Sequence, residues 1–461
     1  MNIKRFFGDK KFYIMILTVA LPIMVQNGIT NFVNMLDNVM VGRLQTEAIS
    51  GVTIVNQFVF VFNLLIFGAI SSAGIFTAQF HGLGDVEGKR NTFRFKLIVV
   101  TVAAALCVAL FLLFDDQLVS LFLHESEQQG DLELTLEYGK HYLSVIVIGF
   151  FPFAISQAYG STLRETGNTM VPMISSIVAV LVNLSLNYVL IFGHLGMPAL
   201  GVVGAAIATV VSRFAEAAVI VVWTHMHSKE SDFIIGAYRS LRIPRSLAGS
   251  IIVRGLPLMV NEFMWAAGVT FTNQCYSLRG LGVVAALNIS TTISNVFNVV
   301  YMAFGVAISI VVGNLLGAGK LEEAKDTDRK MMTFSVLCAL CVGLLLVSVS
   351  RVFPKMYNTT DEARYIASYM IMVSSLLMPA HAFANGSYFT LRSGGQVFIT
   401  MLFDSVFMWV VVVPTALVLG HFTSISIFLL FFICQSLEIL KAVFGAILLA
   451  RGTWVNQLVG K

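Results

Sequence analysis

Twelve runs of mostly apolar residues, nearly all about 20 residues or longer, follow one another along the chain, and they limit its fold more than any other feature. They lie at 12–36, 51–77, 95–114, 139–159, 170–193, 201–224, 250–273, 285–313, 331–350, 366–388, 397–419 and 425–449. About 20 apolar residues in a helix span the roughly 30 Å hydrocarbon core of a bilayer. Barrel strands would be about 10 residues long with alternate side chains apolar, and that period is absent here. The expected fold is all-α and integral to the membrane, with the lipid bilayer as its solvent. Composition agrees: 57% of the 461 residues are hydrophobic and 12% are charged. Soluble domains carry roughly 25% charged residues, so three soluble surfaces could not be covered. The same hydrophobicity excludes disorder.

Other bulk features narrow the class. Net charge is +4, yet no Lys/Arg block marks a nucleic-acid face, and nucleic acid is not expected as a partner. The five cysteines fall in or beside apolar runs. Cys338 and Cys341 lie one helical turn apart without a second pair or a histidine, which reads as packing rather than metal binding. The basic stretch Met1 to Lys11 leads directly into a long apolar run, read as a first span rather than a cleaved signal peptide.

Basic residues orient the spans. With the N-terminus in the cytoplasm, inside segments hold 21 of the 29 Lys and Arg residues and outside segments hold six. The positive-inside rule then places both termini in the cytoplasm.

The two halves of the sequence repeat. A shift of 235 residues lays Leu21-Pro22-Ile23-Met24-Val25 on Leu256-Pro257-Leu258-Met259-Val260, and Gly82-Leu83-Gly84 on Gly317-Ala318-Gly319. A shift of 228 lays Thr162-Leu163-Arg164 on Thr390-Leu391-Arg392 and Gly167 on Gly395. A shift of 222 places Arg213-x-x-Glu216 on Gln435-x-x-Glu438. Six spans separate equivalent points, so the repeats run parallel about an axis along the membrane normal. The expected organisation is two pseudo-symmetric six-helix lobes around a central cleft. The N-lobe is 1–224, a cytoplasmic linker 225–249, and the C-lobe 250–461 with a short tail. Such a cleft suits alternating access by a secondary transporter. No G-x-x-x-x-G-K-[ST] motif is present, so any energy is expected to come from an ion gradient rather than ATP, or transport is passive.

Ionisable groups inside spans are costly and mark functional sites by default. Arg213 and Glu216, and Glu438 and Lys441, are spaced three apart on one helix face, and mutual neutralisation is the economical reading. Asp37 differs. Span 1 carries Asn27, Asn31, Asn34 and Asn38 along one helical stripe, with Asp37 at its edge, and span 5 adds Asn183 and Asn187 one turn apart. Withdrawing a carboxylate from water favours its neutralisation by a proton or a cation, and hard cations take oxygen ligands. Asp37, Asn34, Asn183 and Asn187 are therefore the candidate cation-coupling residues, with Asp37 as a possible Na⁺ or H⁺ site. In the second half, Glu262 has no neutralising neighbour in sequence and Trp265 lies a turn beyond it. Charge and cation–π contact together could draw in an organic cation. Span 8 carries Asn288 in a polar stripe and span 10 carries His381 and Asn385, completing the candidate substrate-binding set. Asp404 has no partner on its own helix. With 37 Phe and 20 Met, the chain also has adaptable apolar side chains enough for a permissive pocket.

The chain resembles the MATE (multidrug and toxic compound extrusion) family over nearly its whole length. The residues that carry the resemblance are Asp37-Asn38-Val39-Met40-Val41-Gly42, Gly82-Leu83-Gly84-Asp85, Thr162-Leu163-Arg164-x-x-Gly167, Asn183-x-x-x-Asn187-Tyr188-Val189-Leu190-Ile191-Phe192-Gly193 and Gly317-Ala318-Gly319. The resemblance implies an antiporter, not an enzyme, that expels small organic cations or amphipathic drugs from the cell across the plasma membrane in exchange for Na⁺ or H⁺. No cofactor is implied, and a monomer is expected. It carries a coupling role onto Asp37, with Asn183 and Asn187 as neighbours. Some members have Asp where Asn187 stands. Members with a second-lobe cation site have a span 7 Glu where this chain has Trp265, and a span 10 Asp where it has His381, which leans the coupling ion toward H⁺. The alternative within the same superfamily is a flippase for a lipid-linked glycan or peptidoglycan precursor. Such flippases resemble 14-span proteins with a basic cavity, whereas the unpaired interior charges here are mostly acidic.

Overall fold

The computed structural model describes residues 5–41, 44–120 and 132–460, without the side chains of Asn34, Met35, Asn38, Val39 and Thr46. Among the described residues there is no strand, and twelve helices are long and apolar enough to cross a membrane. These are α1 (Lys10–Val41), α2 (Thr46–Leu83), α3 (Val86–Leu113), α4 (Leu132–Glu165), α5 (Met170–Phe192) and α6 (Gly201–Met226). The second set is α7 (Arg245–Ser277), α8 (Leu281–Gly317), α9 (Leu321–Val349), α10 (Asp361–Ser393), α11 (Val397–His421) and α12 (Ile427–Arg451). Each apolar run of the sequence falls within or across one of them.

Two spans depart from regular α-helix. In α4 the helix tightens at Val147–Gly149 before resuming at Phe150. Pro152 has no N–H to offer the carbonyl four residues back, so the preceding turn finds other partners. In α11 the stretches Leu402–Val406 and Met408–Val412 are wound as π-helix, ahead of Pro414. Wider turns of this kind absorb an extra residue and shift the side chains that follow.

The internal repeat is visible in the backbone. Gly84 and Gly319 end α2 and α8 in the left-handed region, at φ +79° and +73°. Their N–H groups donate to His81 O and Leu316 O, both at 3.1 Å. Gly167 and Gly395, at φ +90° and +74°, do the same after α4 and α10, donating to Arg164 O and Arg392 O. A side chain at any of these four positions would clash with its own backbone, which is why glycine recurs there.

Packing divides the chain into two units. The N-terminal unit comprises Val25–Thr77 and Val86–Ile251, and the C-terminal unit Met1–Met24, Ala78–Asp85 and Ile252–Lys461. The units are thus not simply the two halves of the sequence. The first turns of α1 and the last turn of α2 pack with the C-terminal unit, and α1 changes unit just beyond Pro22.

In the N-terminal unit, Phe62 of α2 stacks on Phe150 of α4 with centroids 4.0 Å apart. The segment after α6 folds back onto α3. Lys89 Nζ meets Asp232 at 2.7 Å, Arg94 donates to Ala237 O and Gly236 O at 2.8 and 2.9 Å, and Phe233 is buried against Phe93. Part of the stretch read as a linker is therefore a fixed cap.

The C-terminal unit has its own cap after α12. Trp454 is buried, and Gln457 Nε2 donates to Gly317 O at 2.9 Å. The buried Gln79, at the end of α2, donates to Ser393 O at 3.0 Å and Asn456 O at 3.2 Å, and accepts from Leu458 N at 2.7 Å. The ends of α2 and α8 cross at two repeat-related glycines. A Cβ on Gly317 would stand 1.9 Å from Gln79 O, and one on Gly82 1.8 Å from Asn314 O. Gly317→Ala must push these backbones apart, at about 1–3 kcal/mol for overpacking. Its apparent unfolding temperature in detergent should fall below that of the parent protein. An unchanged temperature would mean that the crossing yields freely.

Candidate functional site

In the N-terminal unit the structure brings Asp37 together with both asparagines of α5. Asn187 Nδ2 donates to Asp37 Oδ1 at 2.7 Å. The Asn183 amide, turned to present its nitrogen, reaches the two Asp37 oxygens at 3.0 and 3.1 Å. Both amides are buried, at 5% exposure for Asn183 and 2% for Asn187. The Asn187 Oδ1 atom is buried and accepts no hydrogen bond among the described residues. An unused amide oxygen on a residue bonded to the carboxylate is a costly arrangement for a merely structural polar cluster. It is a ready one for a group that delivers positive charge. The Asn34 and Asn38 side chains lie outside the described residues.

Arg213 of α6 acts electrostatically on Asp37 but is engaged elsewhere. Its guanidinium lies 3.2 Å from Glu216 and over the Phe153 ring at 4.7 Å. Glu216 also accepts from Ser176 Oγ at 3.0 Å, and Ser176 accepts from Gln26 Nε2 at 2.8 Å. The pairing of Arg213 with Glu216 thus follows the sequence spacing and ties α1, α5 and α6 together.

In the C-terminal unit Glu262 of α7 accepts a hydrogen bond from the Tyr388 hydroxyl of α10 at 2.8 Å. Arg392, one turn beyond Tyr388, adds a favourable charge interaction. Trp265 is 39% exposed and Asn288 is exposed. Asn385 sets its Oδ1 against Gly305, and that oxygen accepts no hydrogen bond among the described residues. His381 faces Glu438 at 3.7 Å. Among the described residues no hydrogen bond links Glu262 directly to Trp265, Asn288, His381 or Asn385. The partner of Glu262 is a tyrosine that sequence spacing gave no reason to single out.

Lys441 pairs with Glu438 as the spacing predicts, but a second carboxylate lies closer. Its ammonium is 2.6 Å from Asp404 of α11 and 3.9 Å from Glu438. Asp404, partnerless on its own helix, finds its partner on the next one. Asn261 Nδ2 donates to the second Asp404 oxygen at 3.0 Å, and Ser405 Oγ lies 2.6 Å from Asn261 Oδ1. One clue was available: an acid on one span and a base on the following span, both in apolar surroundings. Among the described residues, no group of three or more His, Cys, Asp or Glu side chains is placed to hold a metal ion.

The family model MatE matches this chain twice, at residues 22–189 and again at 257–418. The chain belongs to the MATE family. The two matches begin 235 residues apart, the interval of the internal repeat. Among MATE relatives, the probable multidrug resistance protein NorM of Thermotoga maritima is 25% identical over 413 residues, covering 89% of this chain and 86% of its own length. The multidrug resistance protein PmpM of Pseudomonas aeruginosa is 25% identical over 414 residues, covering 88% and 83%. The Vibrio cholerae MATE transporter VcmN, solved as a mutant, superposes with a TM-score of 0.86 at 16% identity, over 96% of this chain and 97% of its own. An outward-facing multidrug resistance MATE transporter of the MOP superfamily superposes with a TM-score of 0.85 at 18% identity, over 98% of each chain. The protein is accordingly a multi-pass membrane transporter of the MATE multidrug efflux family, with the two-lobed fold of that family.

Proposed function

We propose that this protein is a secondary antiporter that exports cationic or amphipathic xenobiotics by alternating access in exchange for H⁺ or Na⁺, with H⁺ favoured. The observation that carries this reading is the Asp37 cluster. A carboxylate is held by two buried amides, and one of these keeps a buried oxygen that has no donor among the described residues. A proton or a monovalent cation delivered there neutralises a half-buried carboxylate whose charge is costly inside a span. Asp37, Asn183, Asn187 and Asn34 form the coupling site. Glu262, with Trp265, Asn288, His381 and Asn385, forms the substrate side, where the carboxylate draws in positive charge and the indole offers a cation–π face. The N-lobe is 1–224 and the C-lobe 250–461, both termini lie in the cytoplasm, and the protein works as a monomer in the plasma membrane.

The test is efflux of a fluorescent organic cation from proteoliposomes under separately imposed pH and Na⁺ gradients. A pH gradient should accelerate efflux at least about tenfold over no gradient, and a Na⁺ gradient should do less. Efflux indifferent to both gradients would overturn the antiport reading. Under the driving gradient, Glu262→Gln should slow a cationic substrate more than a neutral one of similar size. Equal slowing would remove Glu262 from substrate recognition.

A further inference from the structure

The segment that follows α6 carries an unbalanced charge. Between Asp232 and Glu262 the sequence has four arginines, Arg239, Arg242, Arg245 and Arg254, and no acidic residue. The first three recur at every third position within the N-terminal unit, and all three are exposed. Acids of the same region are already answered. Asp232 pairs with Lys89 at 2.7 Å, Glu87 with Arg90 and Arg94, and the exposed Glu230 stands beside the exposed Lys229. Among the described residues no ion pair involves Arg239, Arg242 or Arg245.

Large apolar side chains are exposed among these arginines. Ile235, Tyr238 and Leu241 are 51%, 55% and 66% exposed. The segment that carries them is not loose. Phe233 is buried against Phe93 of α3 with ring centroids 5.0 Å apart, and Arg94 donates to the carbonyls of Gly236 and Ala237. The Tyr238 hydroxyl meets that of Tyr159 on α4, and its ring lies parallel to His225 of α6 with centroids 5.9 Å apart. Exposed apolar and basic residues held side by side suit a surface that lies in a membrane interface.

The same fastenings fix the depth of the segment. Phe93 and Arg94 immediately precede the apolar run that begins at residue 95, and Tyr159 is the last residue of the run 139–159. Residues 236–238 are therefore held where two spans leave the hydrocarbon, which is the level of phospholipid headgroups. An aromatic ring with a hydroxyl suits that boundary, and a guanidinium matches the geometry of a phosphate. Three arginines without an acid favour lipids whose headgroups carry net negative charge.

We propose that residues 235–245 form a docking surface for anionic phospholipids. Arg239, Arg242 and Arg245 engage the headgroup phosphates, while Ile235, Tyr238 and Leu241 meet the acyl boundary. A soluble anion would use the arginines and leave the apolar side chains uncovered, so the occupant is a lipid. The surface is independent of the antiport reading and of which leaflet it faces.

The test is lipid binding by the purified full-length protein in detergent, read by native mass spectrometry as phosphatidylglycerol or phosphatidylcholine is added. Each Lys or Arg near a membrane surface contributes about fivefold to the affinity for anionic lipid. Arg239→Gln, Arg242→Gln and Arg245→Gln together should therefore lower the affinity for the first phosphatidylglycerol at least about tenfold, and leave phosphatidylcholine unchanged within about twofold. A second triple variant, Lys320→Gln, Lys325→Gln and Arg329→Gln, removes as many positive charges, each of them beside an acid. It should change the affinity less than about twofold. The three arginines are exposed, so the fold should survive their loss; if the first triple variant cannot be recovered, Arg242→Gln alone should lower the affinity at least about threefold. Affinity for phosphatidylglycerol unchanged within twofold, or equal losses in the two triple variants, would overturn the proposal. Glycerol phosphate at the concentration of the lipid should not displace it. Displacement would make this a site for soluble anions and would overturn the lipid assignment.

Discussion

Replacing Asp37 by Asn is expected to abolish gradient-driven efflux, with initial rates at least about tenfold below those of the parent protein in proteoliposomes under a pH gradient. The substitution is nearly isosteric and keeps an oxygen for Asn187 Nδ2, which donates at 2.7 Å in the parent. Folding should therefore survive. What is lost is the negative charge, and with it the reason for a proton or cation to enter a region walled by two buried amides. An asparagine neither takes up a proton at accessible pH nor attracts a cation as a carboxylate does. Binding of the fluorescent cation to the purified variant should persist within a few-fold, separating lost coupling from lost recognition. Efflux at the parent rate in Asp37→Asn would show that the coupling step lies elsewhere.

Lys441→Met should be strongly destabilising. Lys441 and Asp404 are each 13% exposed at the side chain and 2.6 Å apart. Removing the ammonium leaves Asp404 charged and unpaired, and removes the nearest cation from Glu438. Breaking a buried pair from one side costs about 3–5 kcal/mol. The residual exposure places the expected loss at the lower end, about 3 kcal/mol, read as a shift in unfolding by SDS. Asp404→Asn combined with Lys441→Met removes both charges together and should recover most of that loss, to within about 1 kcal/mol of the parent. Non-recovery in the double variant would mean that Lys441 stabilises by packing its methylenes, including its approach to the Phe403 ring at 5.4 Å, rather than by charge.

These two residues also show where the sequence was readable and where it was not. Asp37 could be singled out because its partners follow local rules. Asn183 and Asn187 are one turn apart on their own helix, so their common face is legible without any tertiary knowledge. Lys441 could not be placed in the same way. Glu438 stands three residues before it, and helical spacing alone made that pair sufficient. The stronger partner is 37 residues back on another helix, and its approach depends on how the π-wound part of α11 turns Asp404. Tyr388 was missed for a related reason, since its bond to Glu262 spans 126 residues.

The membrane spans were legible because hydropathy reports the bilayer's own thickness, but hydropathy falls silent where a helix leaves the bilayer. The run at 331–350 belongs to a helix that begins at Leu321, where Glu322 and Glu323 are exposed. The run at 51–77 likewise continues to Leu83. The Gly82–Gly317 crossing lies in such an extension. The recurrence of these glycines 235 residues apart marked the position, but only packing shows that each is needed for a backbone approach.

The position of Gln79 bears on how the chain is made. It is made well before its partners, since its amide is satisfied by Ser393, Asn456 and Leu458. Ile16 and Ala20 of α1 likewise await a core built from α8, α9 and α10. The end of α2 therefore cannot make its final hydrogen bonds until residues more than 300 positions later have been synthesised and folded.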